Sequence, residues 1–161
     1  MNLKYLFIYI CCIALLNCAK VQNKDKINTI NTESLYVDLE GNAINLKELQ
    51  GRRILLNFWA TWCTPCLKEM PSMARAQEAL ENENYVFLFA TTDNLETIHQ
   101  FKKKTNYPFH FIQFKGTLDK LNIHALPATF IYNTKGKKVK RIDGATDWAS
   151  EELLNQLRAV Q

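Results

Sequence analysis

The 161-residue chain has no second Cys-x-x-C pair to accompany Cys63 and Cys66, and the residue directly after Cys66 is leucine, not histidine. Structural zinc needs four ligands and c-type haem attachment needs Cys-x-x-C-His, so neither fits the pair. No methionine cluster and no nearby histidine supports a copper chaperone, the class that would use the two thiolates as soft metal ligands. His99 and His110 occupy surface or strand positions without ligand spacing, and His124 reads as an exposed loop residue. The net charge is only +4, and its lysines, at 102 to 104 and at 135, 137, 138 and 140, fall on a helix and a hairpin. Solvated faces account for them better than a nucleic-acid surface does. The apolar run from Tyr5 to Leu16 falls short of the roughly 20 residues that a spanning helix needs. No internal repeat is visible. The length suits one domain plus a leader, with a full core that needs no disulfide staples.

What is present centres on Trp62-Cys63-Thr64-Pro65-Cys66. The preceding run, RILLNFWA from Arg53 to Ala60, has the character of a buried strand, and Pro65 suits the first turn of a helix, where a missing N–H costs nothing. This places Cys63 at a helix N-terminus, where unsatisfied N–H groups and the positive dipole end favour thiolate over thiol. Cys66 returns to the same face one turn deeper, placed to resolve a mixed disulfide. The two residues are therefore the candidate redox pair.

Three motifs, Asn57-Phe-Trp-Ala-Thr-Trp-Cys-Thr-Pro-Cys66, Leu67-Lys-Glu-Met-Pro71 and Ala125-Leu-Pro-Ala-Thr-Phe130, together resemble the thioredoxin superfamily, and most closely its extracytoplasmic TlpA/ResA branch. The similarity runs from about Glu33 to the C-terminus. It implies a thioredoxin-like α/β fold with a central mixed sheet, helices on both faces and an N-terminal β-hairpin extension. It also implies that the Leu126–Pro127 bond is cis and faces the dithiol, so that Leu126 can offer backbone hydrogen bonds to an incoming peptide. In the ResA-like branch a carboxylate at the position of Glu69 lies beside the dithiol. Asn57 stands where cytoplasmic thioredoxins hold a buried, proton-relaying Asp. Glu69 is thereby the candidate proton carrier for Cys66, its pKa raised by shielding from water. A solvated Glu paired with a lysine is the competing reading. Trp59 and Trp62 bracket the strand end, with Trp62 expected beside the dithiol as a wall for substrate; core packing of both is the alternative.

Along the chain, strands are expected at Leu35–Leu39 and Ala43–Leu46 around Glu40-Gly41-Asn42, then at Tyr85–Thr91, Phe109–Phe114, Ala128–Tyr132 and Lys138–Ile142. Helices are expected from Thr64 to about Leu80, with a kink at Pro71, over Leu95–Lys104, as a short turn at Thr117–Leu121, and over Ser150–Val160. At the N-terminus, Lys4, the apolar run and Leu15-Leu16-Asn17-Cys18 resemble a bacterial lipoprotein signal, although small residues usually stand where Asn17 does. The expectation is a signal over residues 1–17, lipidation at Cys18, a flexible tether over 18–32 and the domain over 33–161; an uncleaved anchor is the alternative. Cys11 and Cys12 would leave with the leader, and Cys63 and Cys66 would remain as the free thiols.

The resemblance implies a membrane-tethered, monomeric thiol:disulfide oxidoreductase on the periplasmic side of the cell envelope. It would reduce disulfides of exported proteins, apocytochromes c among the candidates, and be recharged by a membrane electron donor of the CcdA/DsbD kind. No prosthetic group is required, because the electrons reside in the cysteine pair. The alternatives are an oxidase of the same fold, the copper chaperone, and a peroxidase, whose lone peroxidatic Cys belongs to a different motif that is absent here.

Overall fold

The computed structural model describes residues 35–161; residues 1–17, Cys18 and the segment 18–32 lie outside the described part. Its strands are β1 (Tyr36–Val37), β2 (Ala43–Ile44), β3 (Arg53–Phe58), β4 (Tyr85–Thr91), β5 (His110–Phe114), β6 (Ala128–Tyr132) and β7 (Lys138–Asp143). Three α-helices, α1 (Thr64–Ala79), α2 (Leu95–Thr105) and α3 (Glu151–Arg158), and 3₁₀ turns at Leu46–Leu49 and Leu118–Leu121 complete it. The sheet order is β2-β1-β5-β4-β3-β6-β7. β3, β4 and β5 run parallel at the centre, and antiparallel strands flank them on each side.

The central strands read as unbroken apolar runs because both of their faces are covered. Alternation along β3 sends Leu55 to one face and Ile54, Leu56 and Phe58 to the other. All three α-helices pack on the first face, where Met70, Met73, Ile98, Leu153, Leu154 and Leu157 meet Leu55, Phe87 and Phe89. The second face is covered by the two 3₁₀ turns, through Leu46, Leu49, Leu118 and Leu121. Both faces carry helices as expected, but unequally. At the edge, β7 (KVKRID) exposes charged side chains, which discourage pairing with another chain.

The N-terminal hairpin is shorter than its alternation suggests, pairing only Tyr36 with Ile44 and Val37 with Ala43. α1 runs through Pro71 without a break, because the surrounding core holds the helix where one N–H bond is missing. α2 is capped by Asn94, whose side chain accepts from the Thr97 amide, and ends at Asn106 in the left-handed conformation (φ 52°). Among the described residues no helix is long and apolar enough to cross a membrane.

Candidate active site

β3 ends at Phe58, and the chain reaches α1 through a five-residue connection, 59–63, pinned on both sides. The Trp59 amide donates to the Ala90 carbonyl (3.0 Å), the Thr61 amide to Oδ2 of Asp93 (2.8 Å), and the Cys63 amide to the Ala60 carbonyl (3.0 Å). Cys63 is the N-cap of α1, and its Sγ accepts from the Cys66 amide at 3.3 Å. No acidic residue stands in the first turn of this helix, so no carboxylate competes with the sulfur for its positive end. Cys63 and Cys66 are joined as a disulfide with Cα atoms 5.3 Å apart. Cys63 is 4% exposed and Cys66 1%, the shallower and deeper positions that the helical spacing implies.

Trp62 projects from this rim 74% exposed, whereas Trp59 is buried against Phe101 and Phe111. The Leu126–Pro127 bond is cis; Leu126 is half-buried and Pro127 buried at the head of β6. His124 is exposed and lies 3.6 Å from Asp119. Among the described residues no group of three or more His, Cys, Asp or Glu is arranged to hold a metal ion.

Glu69 occupies the second turn of α1, three residues after Cys66, and is only 4% exposed. Among the described residues it has no lysine partner. Its Oε1 accepts from Nδ2 of Asn57 (3.1 Å), and its Oε2 accepts from the indole N–H of Trp148 (2.9 Å) and the amide of Thr146 (3.2 Å). Asn57 is aimed by the sheet register, which sets it opposite Thr129, and its Nδ2 also donates to Oγ1 of Thr129 at 2.9 Å. Burial pushes the carboxyl above its ordinary pKa, and the donors from Trp148, Thr146 and Asn57 act against that rise by favouring the ionised form. The result is a carboxyl sheltered from water yet supplied with donors, one turn from the deeper sulfur.

The structure joins Cys63 to Cys66 and bonds Asn57 to Glu69 three residues beyond Cys66; the sequence singles out these four residues but not Trp148, Thr146, Thr129 or Asp93. One signal for Trp148 was available. It is an isolated aromatic in the polar run Gly144–Ser150, and a buried indole N–H calls for an acceptor.

A sheet of this order with a Cys-x-x-C disulfide at the start of a helix defines a thioredoxin-like thiol-disulfide oxidoreductase, acting on disulfide-containing substrates. The model of the AhpC/TSA family matches residues 24–141, and the chain belongs to that family. It is 31% identical over 125 residues to the thiol-disulfide oxidoreductase ResA of Bacillus subtilis, covering 75% of this chain and 70% of that protein. To the Bacillus cereus ResA it is 33% identical over 129 residues, covering 78% and 73%. Among solved structures, StoA of Bacillus subtilis superposes with a TM-score of 0.60 at 25% identity, covering 77% of this chain and 92% of that one. The ResA relatives place the chain in the oxidoreductase branch that the three sequence motifs suggest.

Proposed function

We propose that the protein is a membrane-tethered reductase of disulfides in exported proteins, with Cys63 as the attacking thiol, Cys66 as the resolving thiol and Glu69 as the proton carrier. The observation that carries this reading is the buried, donor-bound Glu69 one turn below a disulfide whose shallower sulfur caps the helix. In the reduced protein, the Cys63 thiolate attacks a client disulfide; one client sulfur leaves as thiolate and a mixed disulfide forms. Cys66 gives its proton to the Glu69 carboxylate and attacks the Cys63 sulfur, releasing the second client thiolate. Two electrons pass to the client, and the cysteine pair is left as the disulfide. Trp62, Leu126 and Pro127 are the residues proposed to meet the client peptide, the first by its exposed ring and the others by backbone in the manner of an added strand.

The direction of electron flow follows from charge. A very acidic Cys63 would stabilise the reduced pair and make an oxidant, whereas a carboxylate next to Cys66 disfavours a second negative charge. The proposed potential is therefore nearer the thioredoxin value of about −270 mV than the DsbA value of about −120 mV. Apocytochromes c are among the clients proposed, and an electron donor of the CcdA/DsbD kind recharges the pair. Support for the tether comes from Lys4, the apolar run and Cys18, with residues 1–17 removed, the domain facing the periplasmic side as a monomer, and 18–32 as the linker.

Redox titration with a gel-shift readout tests the direction: a potential above the glutathione range, with oxidation of reduced test peptides, makes the protein an oxidase instead. For the tether, Cys18→Ser should stall processing or release the protein from membranes. An intact mass that retains residues 1–17 and carries no lipid contradicts it.

A further inference from the structure

The segment from Gly144 to Trp148, which joins β7 to α3, is fastened to both halves of the site. At Gly144 the chain turns with φ 82°, and its amide donates to the Pro127 carbonyl at 2.9 Å. The Trp148 amide donates to Oγ of Ser72 (3.2 Å), and that hydroxyl donates to the carbonyl of Glu69 (2.8 Å). Trp148 is fully buried, and its ring packs in the same cluster as Met73, Leu153 and Leu157. Burial alone does not dictate the bond from its indole N–H to Glu69. Trp59 is equally buried and its Nε1 has no acceptor among the described residues, so this core accommodates a tryptophan without a carboxylate partner.

The groups around the carboxyl come from four directions. α1 contributes Cys66 one turn earlier, while Lys68 and Arg75 of that helix are exposed. β3 contributes Asn57, β6 contributes Thr129, and the 144–148 segment contributes Thr146 and Trp148. Asp147 lies exposed, 3.7 Å from Arg75. Among the described residues every hydrogen bond to the Glu69 carboxyl therefore comes from an uncharged N–H.

We propose that Trp148 is a positioning residue for the exchange reaction: with the Thr146 amide it pins Oε2 of Glu69, so that Oε1, which holds a single bond from Asn57, keeps the lone pair that exchanges a proton with Cys66. The assignment rests on the reading of Glu69 as proton carrier. Removing the indole N–H takes away a donor that favours the ionised form, and the carboxyl then holds its proton to higher pH. The rate of disulfide exchange should lose activity on its acidic side, where Glu69 must be ionised to accept from Cys66.

The test uses Trp148→Phe and, in case the smaller ring loosens the core, Trp148→3-benzothienylalanine, which keeps the indole shape without the N–H. NMR of carboxyl-labelled Glu in the oxidised protein should show Glu69 titrating about one pH unit higher in both variants, the size expected for one lost hydrogen bond to a charged group. Insulin reduction, with dithiothreitol recharging the pair, should show the acidic limb of kcat moving upward by the same amount with KM unchanged. In a Glu69→Gln background neither Trp148 substitution should move the profile further. A Glu69 titration unchanged in the benzothienyl variant overturns the positioning role directly. A titration that shifts while the rate profile stays fixed removes Glu69 from the exchange reaction, and the role with it; the NMR result tells the two failures apart.

Discussion

Cys63 and Glu69 stand on the first two turns of one helix, each only 4% exposed, but Cys63 lies among the exposed Trp62, Thr64 and Pro65 whereas Glu69 is enclosed by donors. The rim at Cys63 is held by backbone bonds within a short loop and one carboxylate from Asp93, and it presents Trp62 to solvent. The pocket at Glu69 is closed by side chains and backbone from β3, β6 and the segment before α3, and it admits almost no water. The difference follows the chemistry of each end. A nucleophile needs a helix terminus to stabilise its thiolate and a way in for the client, whereas a proton carrier needs shelter and fixed donors.

The largest expected effect comes from the open end. Cys63→Ser should abolish turnover and trap few clients, while Cys66→Ser should abolish turnover and accumulate mixed disulfides, seen on non-reducing gels. Equal trapping by both variants would erase the distinction between the two sulfurs. At the closed end, Glu69→Gln should keep the fold yet slow exchange by about 10²-fold, the lower range for a lost acid–base group, and flatten its pH profile. An unchanged rate from about pH 5 to about pH 9 would return Glu69 to a structural role.

The tryptophans offer a stability version of the same contrast. Trp59→Ala should cost about 3–5 kcal/mol, measured by denaturant melts, as befits a buried aromatic. Trp62→Ala should change stability by less than about 0.5 kcal/mol and act instead on KM for protein clients. A smaller effect concerns pH. The folded-state pKa of Glu69 is raised, so between the ordinary carboxylate range and that higher value the folded protein holds a proton that the unfolded chain has released. Its contribution to stability is greatest below that window and declines as pH rises through it. Thermal melts across the window should show this decline in the parent and a weaker one in Glu69→Gln.

The same contrast explains what the sequence discloses. The dithiol, its helix cap and the apolar central strands are local patterns, legible from spacing and periodicity over a few residues. Glu69 was legible as a candidate because it follows Cys66 on one helical face. Its environment was not, since Trp148 and Thr146 reach it across 79 and 77 positions and Thr129 meets Asn57 across 72. Nothing local distinguishes Thr129 from any other strand threonine until the register sets it opposite Asn57. Of the cover on the second sheet face, the turn at Leu118–Leu121 was expected but the one at Leu46–Leu49 was not, because so short a 3₁₀ turn carries too few apolar positions to show a period.

Alkylation of the fully reduced protein across pH, with each cysteine followed by mass spectrometry, tests the division of labour most directly. Cys63 should be modified first and at mildly acidic pH, with Cys66 reacting only at higher pH and its titration displaced in Glu69→Gln. Faster labelling of Cys66, or a Cys66 titration indifferent to Glu69, would contradict the assignment of attack to the open end and proton transfer to the closed one.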